Sequence, residues 1–323
     1  MRLIGMRNVL YYGNIKMEGR HYAAIDIGSN AVRLLIKRVA RNEKTGEESL
    51  IKAVMLRVPL RLGFDVFSRG KISRARAKKL QRLMKAYRQL MEIYEVEAYR
   101  ACATSAMRDA GNGEKLIRSI RKHTGINIEI IGGQEEALMI YNNHLECFED
   151  RRGNYMYVDV GGGSTEVNLL VEGELVYSKS FNVGTVRLLT GGVAATDWRR
   201  MCEEIAMETC SFPVINIIGS GGNINKLFRL AAVKDKERNR LPIESLQAIY
   251  DRLHVLTPQQ RMDEFGLMPD RADVIVPAAE IFLTLAATVR AEYIYVPVIG
   301  LADGIVDSLY MADKVCIDKG EEG

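Results

Sequence analysis

The chain has 323 residues, 47% apolar and 27% charged. This composition excludes a disordered chain and supplies enough apolar material for two domains. No unbroken apolar run approaches the roughly 18 residues a membrane helix needs, which argues against a spanning role. The net charge of +4 conceals an asymmetry. Residues 1–150 hold 27 Lys and Arg against 17 Asp and Glu, while residues 151–323 hold 18 against 24. A basic half joined to an acidic half suggests two domains, with anions drawn to the first.

The first twenty residues carry Arg2, Arg7, Lys16 and Arg20 interleaved with Tyr11, Tyr12, Gly13 and Asn14. They do not resemble a signal peptide and are expected to form a loose extension. Five cysteines, Cys102, Cys147, Cys202, Cys210 and Cys316, make an odd number without a Cys-x-x-Cys pair. Neither a disulfide framework nor a zinc site fits, so a reducing cytoplasm is the expected compartment. Cys102 reads as a buried structural thiol.

From Tyr22 to Ile36 two β-like runs flank Gly28, Ser29 and Asn30, a hairpin signal with small polar residues at the turn. A β-like run follows at Leu50–Pro59. Between Ser73 and Val96, Leu80, Leu83, Met84, Tyr87, Leu90 and Met91 recur at helical spacing, with Ser73 as the cap. A strand at Ala98–Ala103, a helix at Gly113–His123, a strand at Ile126–Ile131 and a helix at Gln134–Phe148 complete an α/β half. The polar stretch Glu149–Asn154 is the expected junction.

The pattern then restarts. Tyr157-Val158-Asp159-Val160-Gly161-Gly162-Gly163-Ser164 parallels Ala24-Ile25-Asp26-Ile27-Gly28-Ser29, and a second β-like run follows in both, an internal duplication of a hairpin whose turn begins just after an aspartate. A strand at Val214–Ile218 runs into Gly219-Ser220-Gly221-Gly222 and a helix at Ile224–Ala232. Helices are expected at Ile243–His254, Pro258–Phe265, Ala272–Tyr293 and Ala302–Val315, with a strand at Tyr293–Val298.

A Gly/Ser turn directly after a strand aspartate frees backbone N–H groups to face phosphate oxygens. One such loop is as often a plain hairpin turn; two, a domain length apart, point to phosphate cradles. Asp26 and Asp159 would then face a common cleft, where carboxylates can hold Mg²⁺ through water. Glu166, seven residues beyond Asp159, either joins that shell or is an exposed strand residue. Ser164 and Thr165 add hydroxyl donors in the second loop, Ser29 and Asn30 do so in the first, and Arg33 can reach a phosphate with its guanidinium.

Thr104, Ser105 and Arg108 follow a strand at the sheet's carboxyl edge, either as phosphate ligands or as a helix cap and a surface pair. Gln134-Glu135-Glu136 opens a helix, where acids ordinarily complement the dipole. The alternative is that one carboxylate accepts a proton from an attacking water. The positive stripe Lys71, Arg74, Lys78, Arg82 and Lys85 is ordinarily a solvated face. Otherwise it guides a polyanion such as polyphosphate, nucleic acid being the weaker partner because aromatic residues are sparse.

These residues resemble the exopolyphosphatase / guanosine pentaphosphate phosphohydrolase family, within the actin, sugar-kinase and heat-shock-chaperone superfamily. The motifs are AIDIGSNAVRLLI, ATSAMRDAGN, GGQEEA, VDVGGGSTEV, NVGTVRL and IIGSGGNINKL, spread from Tyr22 to about Tyr310. The resemblance implies two actin-like (ribonuclease H-like) α/β domains around a cleft, residues 21–148 and 149–301. The helix at 302–315 would pack back on the first.

It also implies Glu136 as general base, with Glu135 a weaker candidate, and Asp159 and Glu166 as essential acids binding a divalent cation, Mg²⁺ or Mn²⁺, with no organic cofactor. The amides of Gly28, Ser29, Asn30, Gly161, Gly162, Gly163 and Ser164 would bind terminal phosphates, helped by Arg33 and Arg108, with Gly221 and Gly222 at the superfamily's nucleoside loop. Substrates would be inorganic polyphosphate or a guanosine pentaphosphate-type nucleotide, with a kinase or a silent sensor as rival readings and a homodimer left open. Two departures stand out: the chain lacks the helical C-terminal domains of long members, and Ala302-Asp303-Gly304 replaces Arg-Asp-Gly.

Overall fold

The computed structural model describes residues 10–12, 15–142, 153–297 and 300–321. Two sheets are built on one plan. In the first, β2 (Ile15–Ile27) pairs antiparallel with β3 (Val32–Asn42) and β3 with β4 (Glu48–Val58), while β5 (Val96–Ala103) and β6 (Ile128–Ile130) add in parallel on the other side of β2, giving the order β4-β3-β2-β5-β6. In the second, β7 (Tyr155–Val160), β8 (Thr165–Val171) and β9 (Glu174–Phe181) form the antiparallel run. β10 (Asn216–Ser220) and β12 (Tyr293–Tyr295) add in parallel, and β11 (Arg240–Pro242) pairs antiparallel at the edge. Counted outward from the first hairpin, both sheets share the same five-strand order, so the duplication read from the two aspartate turns is a duplication of architecture.

The expectation of a loose N-terminal extension is corrected for residues 10–12 and 15–20, while residues 1–9, 13 and 14 lie outside the described residues. β2 begins at Ile15, and Leu10–Tyr12 (β1) pairs antiparallel with Met17–Ile15. An irregularity between Met17 and His21 lets the strand run on past its bulge.

The long amphipathic helix is α2 (Arg74–Ile93); Ser73 Oγ accepts the Arg76 amide at 3.3 Å, and Leu80, Met84, Tyr87 and Met91 are buried against the sheet. Its apolar residues recur at i, i+4, i+7 and i+11, which is why one face is drawn from water. Two helices the sequence did not announce, α1 (Leu62–Arg69) and α3 (Ser105–Asp109), lie beside it in the first domain. α4 (Gly113–Thr124) ends on Gly125, whose φ of +71° is open to glycine at no steric cost.

The helix expected at Gln134–Phe148 is described as α5 (Gly133–Asn142), and the Glu149–Arg152 part of the expected junction lies outside the described residues. In the second domain α6 (Thr185–Leu189) and α7 (Ala195–Thr209) precede β10, and α8 (Gly222–Leu230) follows it. α9 (Ile243–His254) and α10 (Pro258–Phe265) match their expected bounds.

The helix expected at 272–293 is α12 (Ile275–Val289), preceded by a separate short helix, α11 (Pro269–Ala272). Residues 269–289 are, as a stretch, long and apolar enough to cross a membrane, which corrects the reading that none approaches that length. In this fold α12 is a core helix: Ile275, Ala278, Ala279, Ile281, Phe282, Leu285 and Ala286 pack into the second domain's apolar cluster.

α13 (Leu301–Glu321) returns to the first domain, packing on β2, β3 and β5, as the resemblance implied. Its Leu301, Ala302, Ile305 and Val306 join Tyr22, Ala24 and Leu35 of the first sheet and Tyr155, Tyr157 and Ile218 of the second in one buried cluster. The domains are therefore welded along this side by apolar burial and can part only on the other. Cys102 is fully buried in that cluster.

Candidate active site

The free side of the two sheets is where both aspartate turns lie. In each hairpin the residue opposite the aspartate stands seven positions on: Arg33 faces Asp26, and Glu166 faces Asp159. Duplicated geometry thus carries opposite chemistry. In the first hairpin Arg33 Nη1 pairs with Asp26 at 2.5 Å; in the second two carboxylates stand side by side.

The turns themselves are tight. Gly28 N donates to Ala31 O at 3.1 Å and Gly161 N to Ser164 O at 2.9 Å. They also touch each other across the domain boundary. A Cβ at Gly162 would lie 2.9 Å from Ser29 Cβ, and one at Gly163 would lie 2.4 Å from Phe67 Cζ and from Ser105 Oγ. Only residues without side chains allow this approach.

Polar contacts hold the closed arrangement. Arg187 Nη2 meets Asp109 at 2.5 Å while its guanidinium lies 4.1 Å from the Phe67 ring centre. Arg57 Nη1 meets Asp270 at 2.6 Å, Asn30 Nδ2 donates to Asp270 O at 3.0 Å, and Arg61 pairs with Asp273.

Between the domains is a cavity of about 340 Å³. Of the residues singled out by sequence, Asp26, Gly28, Ser29, Asn30, Arg33, Thr104, Ser105, Glu136, Asp159, Gly161, Gly162, Ser164, Glu166, Gly221 and Gly222 line it. Three do not. Gly163 is spent on the contact with Phe67 and Ser105. Thr165 is fully buried and donates its hydroxyl to Val183 O at 2.6 Å, a structural bond inside the second domain. Arg108 lines a separate cavity and donates to Ile131 O at 3.0 Å.

Acids and cations line the cavity together. Burial followed by the charges of Glu166, Asp159 and Asp26 holds the Glu136 carboxyl well above the usual carboxylate range. Burial and then Asp159 push Glu166 up to about 7, against hydrogen bonds from Ser164 and Ser180; burial pushes Asp159 up to about 6, against the Arg33 guanidinium. Glu136 Oε2 is shut off from water and has no hydrogen-bond partner.

Cations line the same cavity: Arg33, paired with Asp26 and acting on Asp159, together with Lys52, Arg57, Arg229 and Arg271. Burial, then the nearby Arg57 and Arg33, pushes Arg271 down to about 10. Arg57, Arg229 and Arg271 were not foreseen, because they come from β4, α8 and α11 and line one cavity only after folding. Asp303 of the Ala302-Asp303-Gly304 stretch also lines the wall, where it pairs with Lys37 and Lys52, each at 3.2 Å. The basic stripe of α2 lines neither cavity, and Lys71, Arg74, Lys78, Arg82 and Lys85 are all exposed.

A divalent cation fits the carboxylates within limits. Repulsion among three buried carboxylates and the orphaned Glu136 oxygen are what a cation would relieve. Among the described residues, no three acidic, His or Cys side chains converge on one point, and Asp26 is held by Arg33. Asp159 and Glu166 are therefore the residues that would hold it, with water and phosphate completing the shell, as Mg²⁺ prefers.

The sequence model of the Ppx/GppA phosphatase family matches residues 43–312. The chain belongs to that family. Among Ppx/GppA-type relatives, exopolyphosphatase 2 of Mycobacterium tuberculosis is 29% identical over 83% of this chain and 90% of its own. The guanosine-5'-triphosphate,3'-diphosphate pyrophosphatase of Aeromonas salmonicida is 24% identical over 91% of this chain and 60% of its own. A bifunctional 3-dehydroquinate synthase/phosphatase of Fusobacterium nucleatum is 27% identical over 79% of this chain, which spans 41% of that protein.

The crystal structure of the Ppx/GppA family member of Aquifex aeolicus superposes with a TM-score of 0.70 at 25% identity, covering 91% of this chain and 98% of that one. An exopolyphosphatase from Cytophaga hutchinsonii, 21% identical, shares the fold with a TM-score of 0.77 over 90% of this chain and 97% of its own. The two actin-like α/β domains expected from sequence are the domains of the Ppx/GppA fold.

Proposed function

We propose that this protein is a Mg²⁺-dependent exopolyphosphatase, removing the terminal phosphate of inorganic polyphosphate by attack of water. The observation that carries this reading is a cavity that brings the carboxylates of Glu136, Asp159 and Glu166 together with clustered guanidinium groups. A chain of phosphates supplies charge for both, a terminal group among the turn amides and a tail among Arg33, Arg57, Arg229 and Arg271.

Glu136 takes one proton from water as its oxygen bonds to the terminal phosphorus. The bridging P–O bond breaks and its electron pair leaves on the shortened chain. Burial and its acidic neighbours give Glu136 the raised proton affinity that a general base near neutral pH needs. The amides of Ser29 and Gly162 and the Arg33 fork meet charge on the equatorial oxygens, whereas the Gly28 and Gly161 amides close their own turns, so the chain's contribution is positioning and charge stabilisation without a covalent intermediate. When bound, the cation supplies neutralisation of phosphate charge and orientation of water.

The nearest rival substrate is guanosine pentaphosphate, the specificity that the Aeromonas relative's name describes. A kinase reading is weaker, because the Gly219–Gly222 loop is engaged by the site itself: a Cβ at Gly221 would lie 2.8 Å from Asp159 Oδ1, and one at Gly222 would lie 3.0 Å from Arg271 Nη2. The deciding experiment is phosphate release with Mg²⁺ from polyphosphates of several lengths, guanosine pentaphosphate and ATP. Fastest release per enzyme from polyphosphate supports the reading, and exclusive release from guanosine pentaphosphate replaces it.

A further inference from the structure

A second cavity, of about 330 Å³, is lined by Arg108 of α3, Gln134 at the start of α5, and Ser178, Lys179, Ser180 and Asn182 on and just beyond β9. It shares no lining residue with the main cavity. It nevertheless adjoins the same carboxylates: Ser180 Oγ donates to Glu166 Oε1 at 2.8 Å, and the Arg108 charge acts on both Glu136 and Glu166.

The wall between the two cavities is thin. Gly133 stands so close to Ser180 that a Cβ on it would lie 2.3 Å from Ser180 Cβ. Here the domains meet as a bare backbone against one serine.

The lining of the second cavity is rich in donors and has no carboxylate. Arg108 spends Nη1 on Ile131 O at 3.0 Å and otherwise approaches Asp109 at only 4.0 Å. Lys179 is held by Glu204 at 2.5 and 2.6 Å, so Arg108 is the cation with capacity to spare. Ser178 Oγ is shut off from water with no partner, and Asn182 is exposed at the rim. Such a set suits a small tetrahedral oxyanion.

The position of this cavity supplies a role. A polyphosphate being shortened places its terminal group by Glu136 and Glu166 and its remaining length among the arginines.

We propose that the second cavity is an orthophosphate site, set beside the catalytic carboxylates and apart from the cavity that holds the chain. This rests on the hydrolase reading above.

The test is binding of inorganic phosphate, followed by calorimetry and ³¹P NMR, to the full chain with and without a non-hydrolysable imido-linked triphosphate. Arg108→Gln and Asn182→Asp are compared with the unaltered protein. Asn182→Asp puts a carboxylate at an exposed rim position, so it reads the cavity even if Arg108→Gln disturbs folding.

Phosphate is expected to bind while the analogue is bound, and each variant should weaken that binding at least tenfold. Displacement of all bound phosphate by the analogue, or unchanged phosphate affinity in both variants, overturns the proposal. Failure of the hydrolase reading shows separately, as absence of phosphate release from every polyphosphate, and the phosphate titration of variants without analogue still decides whether the cavity is an anion site.

Discussion

Glu136, on a helix of the first domain, and Glu166, on a strand of the second, reach the same cavity, and the Glu166 charge raises the proton affinity of Glu136. Neither domain alone contains the pair. Its strength depends on closure, because separation would admit water between the two carboxyl groups and weaken their repulsion.

Glu136→Gln should lower the rate of phosphate release by roughly 10²–10⁴-fold, the range for a lost general base, with little change in polyphosphate affinity. Because the substitution also removes a buried charge facing like charges, the melting temperature should hold or rise. Steady-state kinetics beside a thermal melt checks both, and near-normal turnover would remove Glu136 from the mechanism.

The raised carboxyls predict a pH dependence of stability. The folded-state values of Glu166, about 7, and Asp159, about 6, lie above those of an unfolded chain, so the folded state binds more protons between about pH 4 and 7. That contribution is present in full at low pH and is lost as pH rises through the folded values. The metal-free protein should therefore lose stability from these groups between pH 5 and 8, and Mg²⁺, which competes with those protons, should raise the melting temperature more at pH 8 than at pH 5. Equal Mg²⁺ shifts at both pH values would place the cation elsewhere.

Gly163→Ala tests whether loop-to-loop contact is required. The added methyl meets Phe67 and Ser105 at 2.4 Å, so either the domains separate or the core absorbs about 1–3 kcal/mol of overpacking. Small-angle scattering should show a larger radius of gyration, with kcat/KM falling more than stability. An unchanged radius with full activity would mean that closure tolerates the extra volume.

Arg271→Gln and the triple neutralisation of Arg74, Lys78 and Arg82 separate the cavity's cations from those of α2. Arg271 lines the cavity and the other three are exposed outside it. The single change should raise KM for tripolyphosphate by about tenfold, as for loss of a charge-assisted contact. The triple change should leave that KM alone. A reversed order of effects would move the tail-binding surface to α2.

Much of this was legible in the chain because the relevant signals are local. A strand ending in Asp followed by Gly and Ser announces a hairpin turn with free amides, and its recurrence announces a second domain of the same plan. Ser73 marked the start of α2 because a cap bonds only to its own first turn. The N-terminal strand was missed because β1 and the start of β2 are stabilised by pairing with each other and with Arg41 and Asn42, a relationship that no property of residues 10–20 alone discloses.

Thr165 and Arg108 show the same limit at the site. Both stand where motif spacing suggests phosphate contact, yet one hydroxyl points into the second domain toward Val183 and one guanidinium turns to the far side of the carboxylates. Which way a side chain faces at a strand start or helix end is set by what packs against it.

The sequence by itself determined the two hairpins, their aspartates and the acids that open α5, because strand alternation and turn chemistry act over a few residues. Tertiary structure alone decided that the two turns touch through glycines, that Arg57, Arg229 and Arg271 gather from three elements into one cavity, and that a second cavity adjoins the catalytic carboxylates. These depend on how two domains close, and closure is fixed by apolar burial along α13 and by ion pairs between residues more than 75 positions apart.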